Sequence, residues 1–416
     1  MKSFVIPVIL AGMLVGSPAV AGIDPQLQPY LDALATQGRP PVEFVIDRLD
    51  EYDLLLFDDG WHTASEPFEF YETLIRSPEF RARARYVFVE VLPVNQQPHV
   101  DAYLRSDPED RTLLYPAFQN DLGGTGWPLE SYFRLFHAIH EVNRGLAPDE
   151  RIRVVAVNAP TYWPGIRTPG DLALFRKSLA GNDYTMYRII LGELDGFESG
   201  RRGIFLTNTR HAYKRIKDRE GRPFGNTGTF FHERHPGRTY SIRIHNLALS
   251  VEREKTADEN TPETTAGMER MVFRWVRMAD GLWDSAFDAA GGEPVAVPLE
   301  GNAFGGDPYI GNVMHKASPG QTMYDANDAV IFLAPLESLH NTAYVDYIYT
   351  PDFKKELARR YRILYTAQQL DDLMERNGVG TLEALIDVES AARPAAPIPQ
   401  AAGLGPKDTW KHSTGK

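Results

Sequence analysis

The chain has 416 residues, 43% hydrophobic and 24% charged, a globular composition with enough apolar material for a sizeable core. Its net charge of −12 gives no electrostatic reason to hold a nucleic-acid backbone or an anionic membrane. The absence of cysteine excludes disulfides, thiolate nucleophiles and thiolate metal sites, so any metal would need His, Asp and Glu ligands.

Residues 1–21 read as a signal peptide. Lys2 supplies the positive start, Phe4 to Val15 is apolar apart from Pro7 and Gly12, and Ala19-Val20-Ala21 is a small-residue cleavage pattern. That apolar run falls short of the ~20 residues that span a bilayer. No later run is long and apolar enough to span one. The expectation is a periplasmic or secreted protein with no transmembrane segment after signal removal.

From residue 22 to 390 the pattern predicts one α/β domain. Asp24 caps a helix through Thr36, and Val42 to Leu49 forms a second. Leu54-Leu55-Leu56-Phe57 is a buried strand that stops at the polar turn Asp58-Asp59-Gly60. A helix follows over Glu66 to Arg85, with Pro78 a point of breakage. Tyr86 to Val91 is the next strand, carrying Glu90 near its end, and Leu129 to Arg144 is an amphipathic helix. Ile152 to Val157 is a third strand running into Asn158; Asp183 to Phe197 is helical and Gly203 to Thr207 is a fourth strand. Ile242 to Ile244 and Ala329 to Leu333 read as further strands. Thr256 to Thr265 reads as a polar loop, and the Gly/Pro-rich stretch Ala289 to Met323 as a cover for the site. Ala/Pro-rich residues 391–416 read as a flexible tail.

Strands alternating with helices predict a mainly parallel central sheet with helices on both faces and a loop-rich cover. Ligands of such sheets bind beyond the carboxyl ends of the strands. Asp58, Asp59 and His62 follow one predicted strand, Glu90 ends the next, Asn158 follows the third, and Arg210 and His211 follow the fourth.

Asp59 and His62 are three apart on a tight turn, so the carboxylate can fix the imidazole tautomer while the imidazole accepts a proton. His62 equally fits an ordinary loop histidine. Glu90 stands inside Val87-Phe88-Val89-Glu90-Val91-Leu92, where desolvation disfavours a lone carboxylate; it is either an active-site acid or base, or a carboxylate held by backbone donors or an arginine. His137 and His140 share a helix face, a spacing open to a metal but also to packing beside Phe133 and Phe136. His232, His235 and His245 lie among Arg234, Arg238 and Arg243, as an anion pocket or a solvated loop. There is no Gly-x-Ser-x-Gly elbow, no His-Glu-x-x-His and no Walker loop, and Gly301 to Gly306 follows no predicted strand.

Several short motifs occur in a fixed order: Asp58-Asp59-Gly60-Trp61-His62 after a strand, a strand ending at Glu90, Trp127 before a long helix ending at Asn143, Asn182-Asp183-Tyr184-Thr185-Met186, and Phe205 to His211. The set resembles the erythromycin-esterase-like family, related to ChaN-like and Tiki-like proteins, over about Val42 to Leu364. Asp58-Asp59 stands where that family has Gly-Glu, and Thr207-Asn208-Thr209-Arg210-His211 lacks the earlier histidine of its His-Asn-x-His. The resemblance implies a hydrolase that uses water to cleave an ester, lactone or related bond in a small-molecule substrate. His62 would be the general base. Glu90 and Asp59 would orient it or share its proton, and His211 and Arg210 would face the developing oxyanion. Asp58, Asn158 and Trp61 would complete the binding surface. No cofactor is expected on this reading. A periplasmic ligand carrier, for haem among other ligands, and a metal-dependent hydrolase or peptidase are the alternatives. If the resemblance holds, Asp59, His62, Glu90 and His211 converge on one cleft at the carboxyl edge of the sheet.

Overall fold

The computed structural model describes residues 24–255, 269–402 and 404. Its centre is a seven-stranded sheet in the order β3-β2-β4-β1-β5-β9-β8. The strands are β1 Leu54–Asp58, β2 Tyr86–Pro93, β3 Arg153–Asn158, β4 Gly203–Thr207, β5 Thr239–Ile244, β8 Val295–Pro298 and β9 Ala329–Phe332. All neighbours are parallel except the edge pair β8 and β9. Between β5 and β8 the chain leaves the sheet as an antiparallel hairpin, β6 Ala248–Lys255 and β7 Glu269–Val276.

Every residue of β1 is buried, which is why the strand reads as an unbroken apolar run. Its side chains alternate between two layers. Leu55 and Phe57 pack with Val45, Tyr71 and Phe136, from helices Pro41–Glu51, Glu66–Arg76 and Glu130–Arg144. Leu54 and Leu56 pack on the opposite face with Met186, Ile190 and Phe231, from helices Asn182–Glu193 and Thr227–Arg234. Helices therefore cover both faces, and polar residues at the strand ends are left for the edges.

The expected helix over Glu66 to Arg85 divides at Ser77. Pro78 cannot donate to the preceding turn, and the Ser77 hydroxyl accepts a 3.3 Å bond from the Phe80 amide to start a new turn. The segment around Ala303, expected in the cover, is instead a short turn of helix whose Phe304 is buried edge-on against Tyr30 at 4.9 Å. The stretch 391–402 also differs from the tail expected from its composition. Ala396–Pro397 pairs with His340–Asn341, Arg393 exchanges backbone bonds with Tyr344, and Ile398 and Ala401 are buried in a small apolar cluster. Two apolar side chains and a short strand pairing suffice to seat it. The predicted signal peptide and residues 405–416 lie outside the described residues. No helix among the described residues is long and apolar enough to cross a membrane.

Candidate active site

Three strand ends, those of β1, β2 and β4, build the site. β1 and β4 are adjacent, and pairing continues past β1, where the Asp59 amide donates to the Thr207 carbonyl at 3.0 Å. The Asp58 carboxylate accepts the Gly60 amide at 2.9 Å, and Gly60 takes a left-handed φ of 64° in a tight turn. That turn returns His62 over the strand end. On β2 the pairing register breaks between Val89 and Pro93, so Glu90 lies in an irregular stretch that re-aims its side chain. Past β4, Asn208 caps the short helix Thr209–Ala212, accepting the Arg210 amide at 3.0 Å, and this helix presents His211.

The resulting array alternates carboxylate and imidazole. Asp59 Oδ2 is 2.8 Å from His62 Nδ1, and His62 Nε2 is 3.3 Å from Glu90 Oε2. Glu90 Oε1 is 3.5 Å from His211 Nε2, and His211 Nδ1 is 2.7 Å from Asp183 Oδ1. Asp183, in the first turn of helix Asn182–Glu193, is fixed in turn by the Thr227 amide at 2.9 Å and hydroxyl at 3.0 Å. Asp59, His62, Glu90 and His211 thus converge as the sequence predicts. Asp183 and Asn208 complete the array; the Asn-Asp pair opening a helix was visible in the sequence, but nothing in its pattern aims Asp183 at His211.

Exposure separates the members. The His62 side chain is 18% exposed and lines a cleft of about 380 Å³, whereas Glu90 is 9% and His211 7% exposed. Both His211 nitrogens face carboxylates, so His211 holds Glu90 in place and does not face an oxyanion as the resemblance implies. The cleft has an apolar wall of Trp61, Leu249, Trp275 and Ile310, partly supplied by the hairpin, while Arg210 stands exposed at its rim. Trp61 packs edge-on against Trp275 at 4.5 Å and donates to Asn341 at 2.8 Å. The hairpin and residues 310–312 form the cover; its strands β6 and β7 are not anticipated by the sequence reading, and the expected loop at 256–265 lies outside the described residues.

Two predicted binding residues are engaged in holding the fold. Asp58 is buried 3.0 Å from Arg243 Nη1, opposite it in the β1–β5 register. Asn158 accepts the Asn182 amide at 2.7 Å and the Ala159 amide at 2.9 Å, and is buried away from the cleft. The other histidines diverge. His137 faces Glu109 at 2.9 Å, His140 faces the Ser106 carbonyl at 2.8 Å, His235 faces the Tyr187 hydroxyl at 3.0 Å, and His245 faces Asp284 at 2.8 Å. Among the described residues, no three or more His, Asp or Glu side chains are arranged to hold a metal ion.

Electrostatics follow from the alternation. Burial pushes the His62 pKa down, but Asp59 and then Glu90 more than offset this and raise it to about 10. Burial likewise lowers His211, and Asp183 and Glu90 lift it to about 9. For Glu90, burial alone pushes upward, as its apolar strand suggests, yet His211 and His62 hold it well below the usual carboxylate range. Asp59 is raised, because burial outweighs its bond to His62. One contact points the other way from a protonated His62. The Asn208 amide nitrogen is 2.6 Å from His62 Nε2 while its oxygen is committed to the Arg210 amide, an arrangement that suits an unprotonated Nε2. The two flanking carboxylates set the resting charge of His62, and a turned-over Asn208 amide presents its oxygen to a protonated Nε2. The Asn208 contact marks where Nε2 accepts a proton.

No family model and no curated protein matches the chain. Among solved structures, a succinoglycan biosynthesis protein is similar at a TM-score of 0.48 and 8% identity, covering 74% of this chain and 97% of that one. A mutant of erythromycin esterase EreC in its open conformation gives 0.46 and 12%, covering 74% of this chain and 95% of the other. A Bacillus cereus protein gives 0.43 and 10%, covering 74% and 97% respectively. At identities and scores this low, the chemistry of the site rests on this chain's own residues.

Proposed function

We propose that this chain is an exported hydrolase of the erythromycin-esterase-like type, which uses water to cleave an ester, lactone or related bond. The observation that carries this reading is the buried Asp59-His62-Glu90-His211-Asp183 array, of which only His62 lines the cleft. A histidine backed by a carboxylate on Nδ1 and lining a cleft is suited to taking a proton from water.

On this reading the attacking water enters from the cleft and displaces the Asn208 amide nitrogen from His62 Nε2. His62 takes its proton as the oxygen attacks the carbonyl, and Asp59 stabilises the imidazolium. Arg210 and the Asn208 N–H face the oxyanion that forms. Collapse of the tetrahedral intermediate expels the alcohol oxygen, which recovers the proton from His62. Glu90, held by His211 and Asp183, keeps a fixed negative charge behind Nε2. No protein nucleophile and no metal enter the sequence of steps.

The test uses protein isolated from the periplasmic or secreted fraction, whose intact mass should place Gly22 at the N-terminus. This protein should hydrolyse members of a chromogenic ester and lactone panel. Excess chelator should change the rate by less than about twofold, because no metal-bound water is used. Activity that disappears with chelator and returns with a transition metal would overturn the mechanism. A protein retaining residues 1–21 would overturn the export assignment.

A further inference from the structure

The amino edge of the sheet, opposite the candidate active site, carries a second cleft of about 710 Å³, within the ~300–1,000 Å³ range of small-molecule sites. It is formed where the chain enters β2, β3 and β4. Seven arginines and two aspartates, Asp101 and Asp149, line it, although the whole chain has a net charge of −12.

Four of the arginines are matched by carboxylates. Arg83 is bidentate to Asp50 at 2.7 and 3.0 Å, and Arg153 to Glu193 at 3.1 and 2.9 Å. Arg202 lies 3.8 Å from Asp53, and Arg105 lies 4.0 Å from Asp101. The remaining three, Arg85, Arg151 and Arg201, are exposed, and among the described residues their hydrogen bonds run to main-chain carbonyls. Arg85 donates to the Asp149 carbonyl, Arg151 to the Leu146 carbonyl at 3.4 Å, and Arg201 to the Glu193 carbonyl at 3.0 Å, with its guanidinium 5.9 Å from the Tyr86 ring centre.

A carbonyl orients a guanidinium without neutralising it, and each guanidinium has five N–H donors. Three guanidiniums, each held by a loop at one of three adjacent strand ends, therefore leave charge-assisted donors free over one concave surface. Allowing for Asp149, the unmatched charge is two positive units (three arginines less one aspartate). Guanidinium forks match phosphoryl oxygens bidentately.

We propose that this cleft binds a small molecule carrying a diphosphate or two phosphoryl groups, independently of the hydrolytic site. The experiment is calorimetric titration of the full mature protein with inorganic pyrophosphate at about 150 mM salt, where screening confines the attraction to groups within about 8 Å. Saturable binding is expected, with weaker binding of inorganic phosphate. Arg85→Gln/Arg151→Gln/Arg201→Gln should weaken pyrophosphate binding by about tenfold or more, since charge-assisted bonds are lost. The melting temperature and ester hydrolysis should be unchanged. Arg201→Gln alone should weaken binding by a smaller factor, which provides a readout if the triple variant folds poorly. Absence of saturable binding, or equal affinity in wild type and both variants, would overturn the proposal. So would capture by phosphatidylglycerol vesicles that pyrophosphate does not compete away, which would identify a membrane surface as the ligand.

Discussion

His62→Ala is expected to lower kcat for ester hydrolysis by about 10²–10⁴-fold, the range supplied by a positioned general base. KM should change little, because His62 touches the reacting water while Trp61, Trp275 and Leu249 supply the apolar wall that receives the substrate. Activity is measured on whichever panel member the wild type cleaves fastest, with the melting temperature compared in parallel. His62 is partly exposed and its removal leaves Asp59 and Glu90 without their shared cation, so some loss of stability is expected as well. A folded variant with wild-type kcat would remove His62 from the chemistry.

The largest effect on stability is expected at Arg243. Its side chain is 2% exposed and that of Asp58 1% exposed, and they meet at 3.0 Å between neighbouring strands. Removing one partner of such a pair strands the other charge in the core and costs about 3–5 kcal/mol. Arg243→Ala also removes a bond to the Leu247 carbonyl at the base of the hairpin. Urea unfolding should show a lower midpoint with little change in slope. The double variant Asp58→Asn/Arg243→Met should be less damaging than Arg243→Ala, because no buried charge is left unmatched. A change below about 1 kcal/mol for Arg243→Ala would show that the pair is not needed to hold β1 against β5.

Much of this arrangement is legible in the sequence, for a physical reason. Parallel strands buried on both faces are continuous apolar runs, so Leu54 to Phe57 and Tyr86 to Val91 announce themselves, and the first polar residues after them mark the functional edge. Asp59, His62, Glu90 and His211 were found that way. What was missed depends on partners distant in sequence. The apolar neighbours of Glu90 in the chain push its titration upward, but two imidazoles from elsewhere in the chain reverse the direction. His211 faces inward because Asp183, itself fixed by Thr227, holds it there. Asp58 and Asn158 sit at strand ends as binding residues would, yet one anchors Arg243 and the other the start of a helix. The hairpin is not legible in the sequence because half of its residues are polar and its apolar positions divide between the cleft (Leu249, Trp275), the core (Ala248, Val276) and solvent (Met271, Phe273).

Hydrolysis turns on the protonation of His62, and the pH dependence of kcat/KM tests that most directly. Two carboxylates raise the His62 pKa from 6.5 to about 10, so the base form is scarce at neutral pH and grows as pH rises. The wild-type kcat/KM should therefore climb about tenfold per pH unit through neutrality and level off on the alkaline side. Glu90→Gln removes one of the carboxylates and lowers the His62 pKa, so the same rise should end at lower pH. A profile flat from neutrality upward, falling with pH, or unmoved by Glu90→Gln would contradict the assignment of His62 as the base.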